Sequence, residues 1–414
     1  MSRRGERTSA EVTPERRDAE RFLLRLARAL HESGAPSHRI EEAMAILAPR
    51  LGIEGRFFST PTSIFVSFGS EEESRTTLLR VEPSGVDLER MVRVDEVIAD
   101  VHADRLGMPE ATAALDALAV RPPRYGSALT IAAFGLAAAT VARFLGGGLH
   151  EVAAATLVGA QTGGFAVLAA RHRDAARVLE WIASFAAAAA AVGWALVFTP
   201  LVPAIAAVAG LIVLLPGLTL TVALTELATR HLVSGTARLA GAALTFLAIG
   251  FGLALGARLG PLVGAAAVAV PVAPLPGWTE ALALALSPLA LTVLFRARPK
   301  DGFVIAVAGA VAYGTQRVAG AVAGPEIGML VAAFATGLVG NLHARVNHRP
   351  AAVAIVPSLI LLVPGSLGVR SVSALVAKDV VPGIEALFTL VVLAAALAAG
   401  ILLANFVTPP KRSL

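Results

Sequence analysis

The sequence contains no cysteine, and this absence excludes both disulfide bonds and thiolate metal sites. Charge is scarce as well: 16% of the 414 residues are Asp, Glu, Lys or Arg, whereas an ordinary soluble domain carries about 25%. Hydrophobic residues make up 56% of the chain, and the mean hydropathy is +0.72. The chain is therefore too apolar for a soluble protein.

The charges that are present lie mostly before residue 126, so the sequence divides into a polar and an apolar part near Arg121–Arg124. The first 21 residues are charged throughout and lack the apolar core of a signal peptide. We therefore expect the N-terminus to stay in the cytoplasm. The net charge of +5 comes largely from short basic clusters between apolar runs, which indicate membrane topology rather than nucleic-acid binding.

The polar part predicts a small cytoplasmic α+β domain. Apolar periodicity and turn residues give four helices and three strands, over residues 15–31, 38–51, 55–59, 63–68, 76–81, 87–106 and 109–119. His38, Glu41 and Glu42 share one helical face, a spacing that suits a metal site. The alternative is a solvated amphipathic face, and we predict no metal or other cofactor.

Ten segments of the apolar part are long enough to be spans, since about 20 apolar residues cross a bilayer. They are Ser127–Leu145, Glu151–Ala170, Val178–Phe198, Val202–Leu224, Ala237–Ala257, Trp278–Leu294, Gly302–Ala323, Ile327–Leu342, Ala351–Leu367 and Val380–Phe406. The fold class is thus an all-α polytopic membrane protein with a small α+β N-terminal domain. The predicted division is a tail (1–19), the α+β domain (20–125), two membrane halves (126–260 and 278–407) joined by a Pro-rich connector (261–277), and a cytoplasmic tail (408–414). The connector is either a loop or a re-entrant segment.

Loop charge sets the orientation of these spans. With the N-terminus inside, twelve basic residues lie in inner loops: Arg171, Arg173, Arg177, Arg230, Arg238, Arg296, Arg298, Lys300, Arg345, Arg349, Lys411 and Arg412. Only four lie outside: Arg143, Arg258, Arg370 and Lys378. This bias predicts that both termini are cytoplasmic.

A short motif occurs twice in the membrane part. The fourth span contains Pro216-Gly217 and the ninth contains Pro364-Gly365, each after an aliphatic run and at an offset of 148 residues. Five spans separate the copies, so they cross in opposite directions, as in an inverted 5+5 repeat. A second similarity, Pro123–Arg173 with Pro299–Arg349 at an offset of 176, implies a parallel relation instead. The two offsets cannot describe one simple repeat, and the Pro-Gly pair is the more distinctive.

Proline followed by glycine predicts a helix break, which lipid tolerates only where the freed backbone groups are buried in protein or line a cavity. Such half-helix ends bind substrate in transporters; the alternative is a packing kink. Polar residues within the spans are also candidates for function. The substrate-binding candidates are Pro216, Gly217, Thr219, Thr221, Pro364, Gly365, Ser366, Gln161 and Asn341.

Two carboxylates are candidates for proton coupling. Glu226 lies near the inner end of the fourth span, where an interfacial anchor is the alternative role. Asp379 adjoins Lys378 at the outer edge, where a local ion pair is the alternative. Glu151, Glu280 and Glu326 lie at outer span ends, and we expect them to be solvated.

The order of these features resembles the threonine/serine exporter family over about residues 20–406. The segments that carry the resemblance are Ser33-Gly34-Ala35, Arg39-Ile40-Glu41-Glu42, Pro61-Thr62, Pro122-Pro123-Arg124-Tyr125 and the two Pro-Gly breaks. The resemblance implies a non-enzymatic secondary transporter in a bacterial cytoplasmic membrane. It would export threonine and serine from the cytoplasm, driven by the proton gradient. In relatives the two groups of five spans can be separate polypeptides, which agrees with the predicted repeat.

Other functions are compatible with the residues alone. They are export of another small polar metabolite, a channel or sensor gated by the N-terminal domain, and a membrane-bound hydrolase, for which a clustered His/Asp/Ser set is missing. The expected partners are an amino acid, protons and the bilayer, with no nucleic acid. A homo-oligomer is possible, because small-residue spans such as Ala186–Gly193 permit close helix contact.

Overall fold

The computed structural model describes residues 13–70, 73–197, 200–262, 272–362 and 365–409, which form two compact units that divide at Pro122–Pro123. Every helix and strand expected before residue 120 is present. The N-terminal unit consists of α1 (Pro14–Glu32), α2 (Ser37–Arg50), β1 (Gly55–Thr60), β2 (Ser63–Phe68), β3 (Arg75–Arg80), α3 (Leu88–His102) and α4 (Met108–Ala119).

The three strands of this unit form one antiparallel sheet in the order β1-β2-β3. Helix α1 lies at the centre of the unit, in contact with all three other helices and with β2. Its apolar stripe of Phe22, Leu23, Leu26 and Leu30 is completely buried. The 3.6-residue periodicity of this segment therefore determines which face of α1 becomes the core.

The second unit contains fourteen α-helices among the described residues. They are α5 (Ser127–Phe144), α6 (Leu149–Ala169), α7 (Arg173–Arg177), α8 (Leu179–Val197), α9 (Pro203–Gly210), α10 (Gly217–Ala228), α11 (Leu232–Ala257), α12 (Leu259–Leu262), α13 (Trp278–Leu294), α14 (Gly302–Ala323), α15 (Pro325–Asn347), α16 (Ala352–Leu362), α17 (Gly365–Val376) and α18 (Val380–Val407).

All ten predicted span segments contain helices, but these helices differ in length. Within the described ranges, eight helices are long and apolar enough to cross a membrane when α16 and α17 (Ala352–Val376) are counted together, or nine if the bent pair α9–α10 is also one span. Helix α13 has 17 residues and is shorter; at 1.5 Å per residue it extends about 25 Å. The chain is thus a multi-pass membrane protein, and the count of ten spans stays a prediction. Part of the predicted Pro-rich connector, residues 263–271, lies outside the described residues.

Helix packing follows one pattern in both parts of this unit. In the first part, α5 packs on α6, α8 on α11, and α9 on α6 and α8. In the second part, α13 packs on α14, α15 on α18, and α16 on α14 and α15. Each pair of packed helices in the second part therefore lies five predicted spans after the corresponding pair in the first part.

The helices α10 and α17 connect the two parts. Helix α10 packs on α11 of its own part and on α18 of the other, whereas α17 packs on α18 of its own part and on α11 of the other. Leu218 of α10 accordingly joins an apolar core of α14, α15, α16 and α18, and Val369 of α17 joins the core around α5, α6, α8 and α9. The two parts are therefore interleaved through the helices that follow the Pro-Gly motifs.

Candidate functional site

The predicted break at Pro216-Gly217 is present. Helix α9 ends at Gly210, a single 3₁₀ turn covers Ile212–Leu214, and Leu215 is extended before α10 begins at Gly217. The two helices are bent by 49° at this point. Pro216 has no N–H, and its ring clashes with the carbonyl oxygen four residues earlier, at Ile212, where the helix is interrupted. Pro288 and Pro357 lie within α13 and α16 without ending them, so proline favours the break at this point without being sufficient for it.

The second motif lies beside the first in space. Residues 363 and 364, which include the predicted site residue Pro364, lie outside the described residues between α16 and α17, so the second break stays a prediction. Gly365 is buried, and a Cβ added to it would lie 3.2 Å from the Cβ of Leu215. The fold therefore joins two segments that are about 150 residues apart in the sequence.

The backbone at this junction offers helix ends of both kinds. Helix α10 begins here with its N-terminus, whereas α9 ends nearby with its C-terminus. N-terminal N–H groups attract a carboxylate, and C-terminal carbonyl oxygens attract an ammonium group. Residues 203–225 and 352–369 contain no Asp, Glu, Lys or Arg. The arrangement suits a ligand that is polar at both ends and neutral overall.

Hydroxyl groups follow the break along α10. Thr221 is buried, and its Oγ1 donates to the carbonyl oxygen of Gly217 at 3.1 Å. Thr225 repeats this pattern one turn later, toward the carbonyl oxygen of Thr221 at 2.9 Å. Thr219 lies two residues after Gly217, and Ser366 lies directly after Gly365. Both are half-buried. The hydroxyl of Thr221 is therefore bonded within its own helix, whereas Thr219 and Ser366 lie close to the junction.

The remaining two substrate candidates lie in different places. Gln161 is half-buried on α6, one turn from Val158. Val158 lies against the end of α9, since a Cβ added to Gly210 would lie 2.4 Å from Val158 Cγ1. Asn341 is fully buried, and its Nδ2 donates to Asn405 Oδ1 at 3.0 Å. Gln161 therefore belongs to the helix that supports the break, whereas Asn341 is bonded into the contact between α15 and α18.

Glu226 is fully buried between α10 and α11. Ser234 Oγ donates to its Oε2 at 2.7 Å, and Arg238 Nε lies 3.1 Å from the same oxygen and 3.2 Å from Oε1. Both carboxylate oxygens thus have hydrogen-bond donors. Any proton added to Glu226 would compete with one of these contacts.

The turn that follows α10 recurs after α17 at an offset of 148. Arg230 and Lys378 both have positive φ, of 65° and 67°. The next residues, His231 and Asp379, each donate their backbone N–H five residues back, at 2.8 and 2.9 Å. Asp379 itself is exposed directly before α18.

The glycines of these two hairpins also correspond. A Cβ on Gly235 would lie 2.7 Å from Leu227 Cγ, and one on Gly383 would lie 2.7 Å from Leu375 Cγ. Each glycine thus allows the following helix to cross closely over the half-helix before it. The offset of 148 residues describes this backbone structure as well as the Pro-Gly motifs.

The expectation that Glu151 is solvated was wrong, because its side chain completes a helix start. Only 2% of Glu151 is exposed. Its Oε2 accepts the N–H of Gly148 at 2.9 Å, and its Oε1 accepts the N–H of Val202 at 2.8 Å. It therefore ties the start of α6 to the start of α9. Glu326 is exposed as expected.

Glu280 belongs to a polar network that the sequence did not reveal. Arg317 Nη1 donates to Glu280 Oε1 at 2.5 Å, and the hydroxyl of Tyr313 donates to the same oxygen. Arg143 Nη2 lies 4.0 Å from Glu280 Oε2, and Arg143 Nε donates to Thr279 Oγ1 at 2.6 Å. The network joins α5, α13 and α14. A spacing of 37 residues between Glu280 and Arg317 carries no local signal, so only the fold reveals it.

In the N-terminal unit, the side chains considered for a metal have other partners. Glu41 Oε1 accepts the N–H of Ser59 at 2.7 Å, and Glu42 pairs with Arg39 at 2.9 Å. Across the described ranges, three or more His, Cys, Asp or Glu side chains nowhere form a group that could hold a metal ion.

Two of the short motifs of this unit, Ser33-Gly34-Ala35 and Pro61-Thr62, contact neighbouring segments. Nε2 of the buried His31 lies 3.1 Å from the carbonyl oxygen of Pro61, and the carbonyl oxygen of Ser33 accepts the N–H of Asp87. These segments therefore hold the loops of the unit together.

Comparison with protein families covers almost the whole chain. Residues 21–260 match one threonine/serine exporter model, and residues 280–407 match a second, described as "Threonine/Serine exporter, ThrE". The gap between the two matches falls in the segment that separates α12 from α13. The two parts of the membrane unit are therefore described by separate family models.

Individual relatives come from fungi. The chain is 27% identical over 383 residues to an uncharacterized protein of Schizosaccharomyces pombe, covering 85% of this chain and 48% of that protein. It is 29% identical to pheromone-regulated membrane protein 10 of Debaryomyces hansenii, covering 86% of this chain and 36% of the relative. The protein of the same name from Saccharomyces cerevisiae is 28% identical, with 87% and 48% covered.

The chain thus spans about half or less of the length of these relatives. No solved structure matches it. Since the first family model alone covers more than half of the chain, and the two models meet at the connector between its two parts, the protein belongs to the threonine/serine exporter family of membrane proteins.

Proposed function

We propose that this protein is a secondary transporter that exports small hydroxy amino acids, threonine and serine, from the cytoplasm, with the proton gradient as the driving force. The observation that carries the proposal is the closeness of the two motif segments: a Cβ added to Gly365 would lie 3.2 Å from the Cβ of Leu215, beside the break before α10. Irregular backbone within a membrane is tolerated where it is enclosed by protein or lines a cavity.

The substrate class follows from the chemistry of this junction. An amino acid is a zwitterion, with a carboxylate for the N-terminus of α10, or for the predicted half-helix after Pro364-Gly365, and an ammonium group for the carbonyl end of α9. Charged side chains are missing from residues 203–225 and 352–369, which favours a neutral side chain on the substrate. The hydroxyls of Thr219 and Ser366 are suited to bonding the hydroxyl of threonine or serine.

The proposal includes an inverted repeat of five and five spans. Its support is the recurrence of helix pairs after five predicted spans, together with the identical turns at Arg230 and Lys378. Loop charge favours cytoplasmic termini, and the family resemblance favours a bacterial cytoplasmic membrane. For proton coupling, Glu226 and Asp379 remain the candidates from the sequence, and the exposed Asp379 is the more accessible of the two.

The experiment uses bacterial cells that are loaded with a threonine-containing dipeptide and lack their own threonine exporters. Cells with the protein should accumulate less intracellular threonine and release more, and a protonophore should abolish the difference. Equal intracellular threonine with and without the protein would contradict the proposal. Exchange of labelled against unlabelled threonine separates a carrier from a channel, because a channel needs no exchange.

A matched pair of variants ties the activity to the junction. Gly365→Val forces a side chain against Leu215, whereas Gly314→Val adds one on α14, where a Cβ meets nothing within 4 Å. We expect a large loss of export for the first at normal membrane insertion, and little change for the second. Equal export by the two variants would dissociate the junction from transport.

A further inference from the structure

We infer that Asp301, His343 and Arg349 form a second binding site in the membrane unit, which takes a zwitterionic amino acid from the cytoplasm before it reaches the junction. The identity of the ligand and the direction of its movement rest on the function proposed above. The site itself rests on helix packing and on buried polar groups.

The ends of three helices carry these residues. Asp301 directly precedes α14, His343 lies one turn before the end of α15, and Arg349 lies in the short connection from α15 to α16. Helices α14, α15 and α16 all pack on one another. The three side chains therefore belong to one local bundle.

Close contacts between these helices determine which of their ends meet. A Cβ added to Gly328 of α15 would lie 2.7 Å from Gly320 Cα of α14, near the turn at Gly324 that joins the two helices. A Cβ on Gly309 of α14 would lie 3.0 Å from Leu361 Cδ1 of α16, and both residues lie beyond the second turn of their helix. The start of α14, the end of α15 and the start of α16 therefore lie at the same end of the bundle.

Two buried nitrogen atoms at this end have no hydrogen-bond partner among the described residues: His343 Nε2 and Arg349 Nη1. Asn347 Nδ2 donates to His343 Nδ1 at 3.0 Å, so the ring proton of a neutral His343 is on Nε2. Both nitrogens are thus donors, and a buried donor without an acceptor is costly. A ligand with an anionic group that reaches both donors would remove this cost.

Asp301 limits which anion can bind here. Only 4% of Asp301 is exposed, and the charges of Asp301 and Arg349 both act on His343. A phosphate is negative on every side and would be repelled by Asp301. An amino acid instead offers its carboxylate to Arg349 and His343 and its ammonium group to Asp301. With His343 neutral, the site has no net charge and suits a ligand that has none.

The site is connected to the junction by one helix. The described part of α16 runs from Ala352, close after Arg349, to Leu362, close before Gly365. At 1.5 Å per residue, its 11 residues extend about 16 Å. The loop charges predict that the connections before α14 and before α16 face the cytoplasm. Substrate for export would come from that side, so binding here would concentrate it near the junction.

Binding is measured on the purified full chain with a single reporter. Since the chain has no cysteine, Lys300→Cys accepts one environment-sensitive fluorophore at an exposed position next to Asp301 in the sequence. Threonine should change the fluorescence saturably, and Arg349→Gln and Asp301→Asn should each raise the apparent Kd by about tenfold or more. The matched controls Arg177→Gln and Asp174→Asn each remove one member of an exposed ion pair on α7 and should leave the Kd unchanged.

Other ligands test the charge complementarity. Threoninamide lacks the carboxylate and N-acetylthreonine lacks the ammonium group, so both should compete with threonine at the reporter much more weakly than serine does. Inorganic phosphate should give no saturable response. A phosphate response in place of a threonine response, or a threonine response that survives both Arg349→Gln and Asp301→Asn, would overturn the inference. If one of these variants does not fold, the other decides.

Transport kinetics separate substrate binding from a structural role. In inverted membrane vesicles, whose cytoplasmic face points outward, both variants should raise the KM for threonine by about tenfold while kcat stays nearly unchanged. A lower kcat at an unchanged KM overturns the inference, because the residues would then act in a conformational step. If the wild type transports no threonine but the reporter shows binding that needs both residues, the proposed function fails and the site stands. Transport without any response at the reporter overturns the site alone.

Discussion

At the scale of single residues, the structure separates polar groups that are bonded within the fold from those that lie beside the predicted site. Glu151 and Glu226 are both buried carboxylates with bonded oxygens. Buried polar groups of this kind are costly when a partner is removed. Thr219 and Ser366 lie instead beside the junction. Being polar within a span is thus insufficient to identify a site residue.

Glu151 gives a prediction with a control on another helix start. Glu151→Ala leaves the backbone N–H groups of Gly148 and Val202 without their acceptor, at a cost of about 1–3 kcal/mol for each buried donor. We expect a lower thermal unfolding temperature of the purified protein. Glu326→Ala removes an exposed glutamate from the first turn of α15 and should leave that temperature nearly unchanged. Similar losses for both would show that the bonds of Glu151 do not matter.

Gly34 gives a second prediction at this scale, in the N-terminal unit. Gly34 has φ +85°, and a Cβ on it would lie 2.8 Å from Val86 Cα. Gly52 also has positive φ, +67°, but a Cβ there meets nothing within 4 Å. Both changes to alanine share the backbone strain of about 1–2 kcal/mol, and only Gly34→Ala adds a clash with backbone. Gly34→Ala should therefore lower the thermal unfolding temperature more than Gly52→Ala does. An equal loss in the two variants would show that backbone strain accounts for the whole effect.

At the scale of elements, the half-helices determine how the membrane unit is joined. Helix α17 crosses α11 at two glycines: a Cβ on Gly250 would lie 2.2 Å from Val372 Cγ1, and one on Gly368 would lie 2.3 Å from Phe246 Cε1. Small residues at such crossings let helices approach closely in a membrane. The contact holds the second part of the unit against the first.

The crossing can be tested on α11 alone. Gly250→Val inserts a side chain into the contact with α17, whereas Gly241→Val places the same side chain on an exposed face of the same helix, where a Cβ meets nothing within 4 Å. We expect Gly250→Val to reduce thermal stability and threonine export together. Gly241→Val should keep both, and a Gly250→Val protein with wild-type properties would argue against close packing at this point.

At the scale of the whole molecule, the membrane unit behaves as two interleaved parts. The helices α5 and α13 pack on each other, and α10 and α17 each pack on the final helix of the other part. The family models divide at the same connector. Association of the two parts therefore depends on side-chain packing more than on the covalent link.

This organisation predicts that the chain can be divided. Residues 1–262 and 272–414, expressed together as separate polypeptides, should assemble in the membrane and restore threonine export, because the interleaved helices remain complete. Co-purification of the two pieces and the cell assay measure the result. A division at residues 348–350, between α15 and α16, separates helices of one part and should restore much less. Failure of the first pair to co-purify would show that the connector is required.

The sequence by itself determined where the helical segments of the membrane unit lie, and it predicted the break before α10. Composition and apolar length located ten apolar segments that are helical in the described ranges, because a helix in lipid must satisfy its own backbone hydrogen bonds. Proline at residue 216 favoured that break for a reason that is local to the backbone. The periodicity of α1 likewise selected Phe22, Leu23, Leu26 and Leu30 as core residues.

Only the tertiary structure decided which of these segments meet. The contact of Gly365 with Leu215, the network of Glu280 with Arg143 and Arg317, and the burial of Glu151 all join residues that are far apart in the chain. Periodicity in the sequence reports one helix at a time, and it carries no information on which helix packs against that face. The repeated Pro-Gly motif predicted two breaks, but the closeness of Gly365 to Leu215 follows from how α10 and α17 interleave.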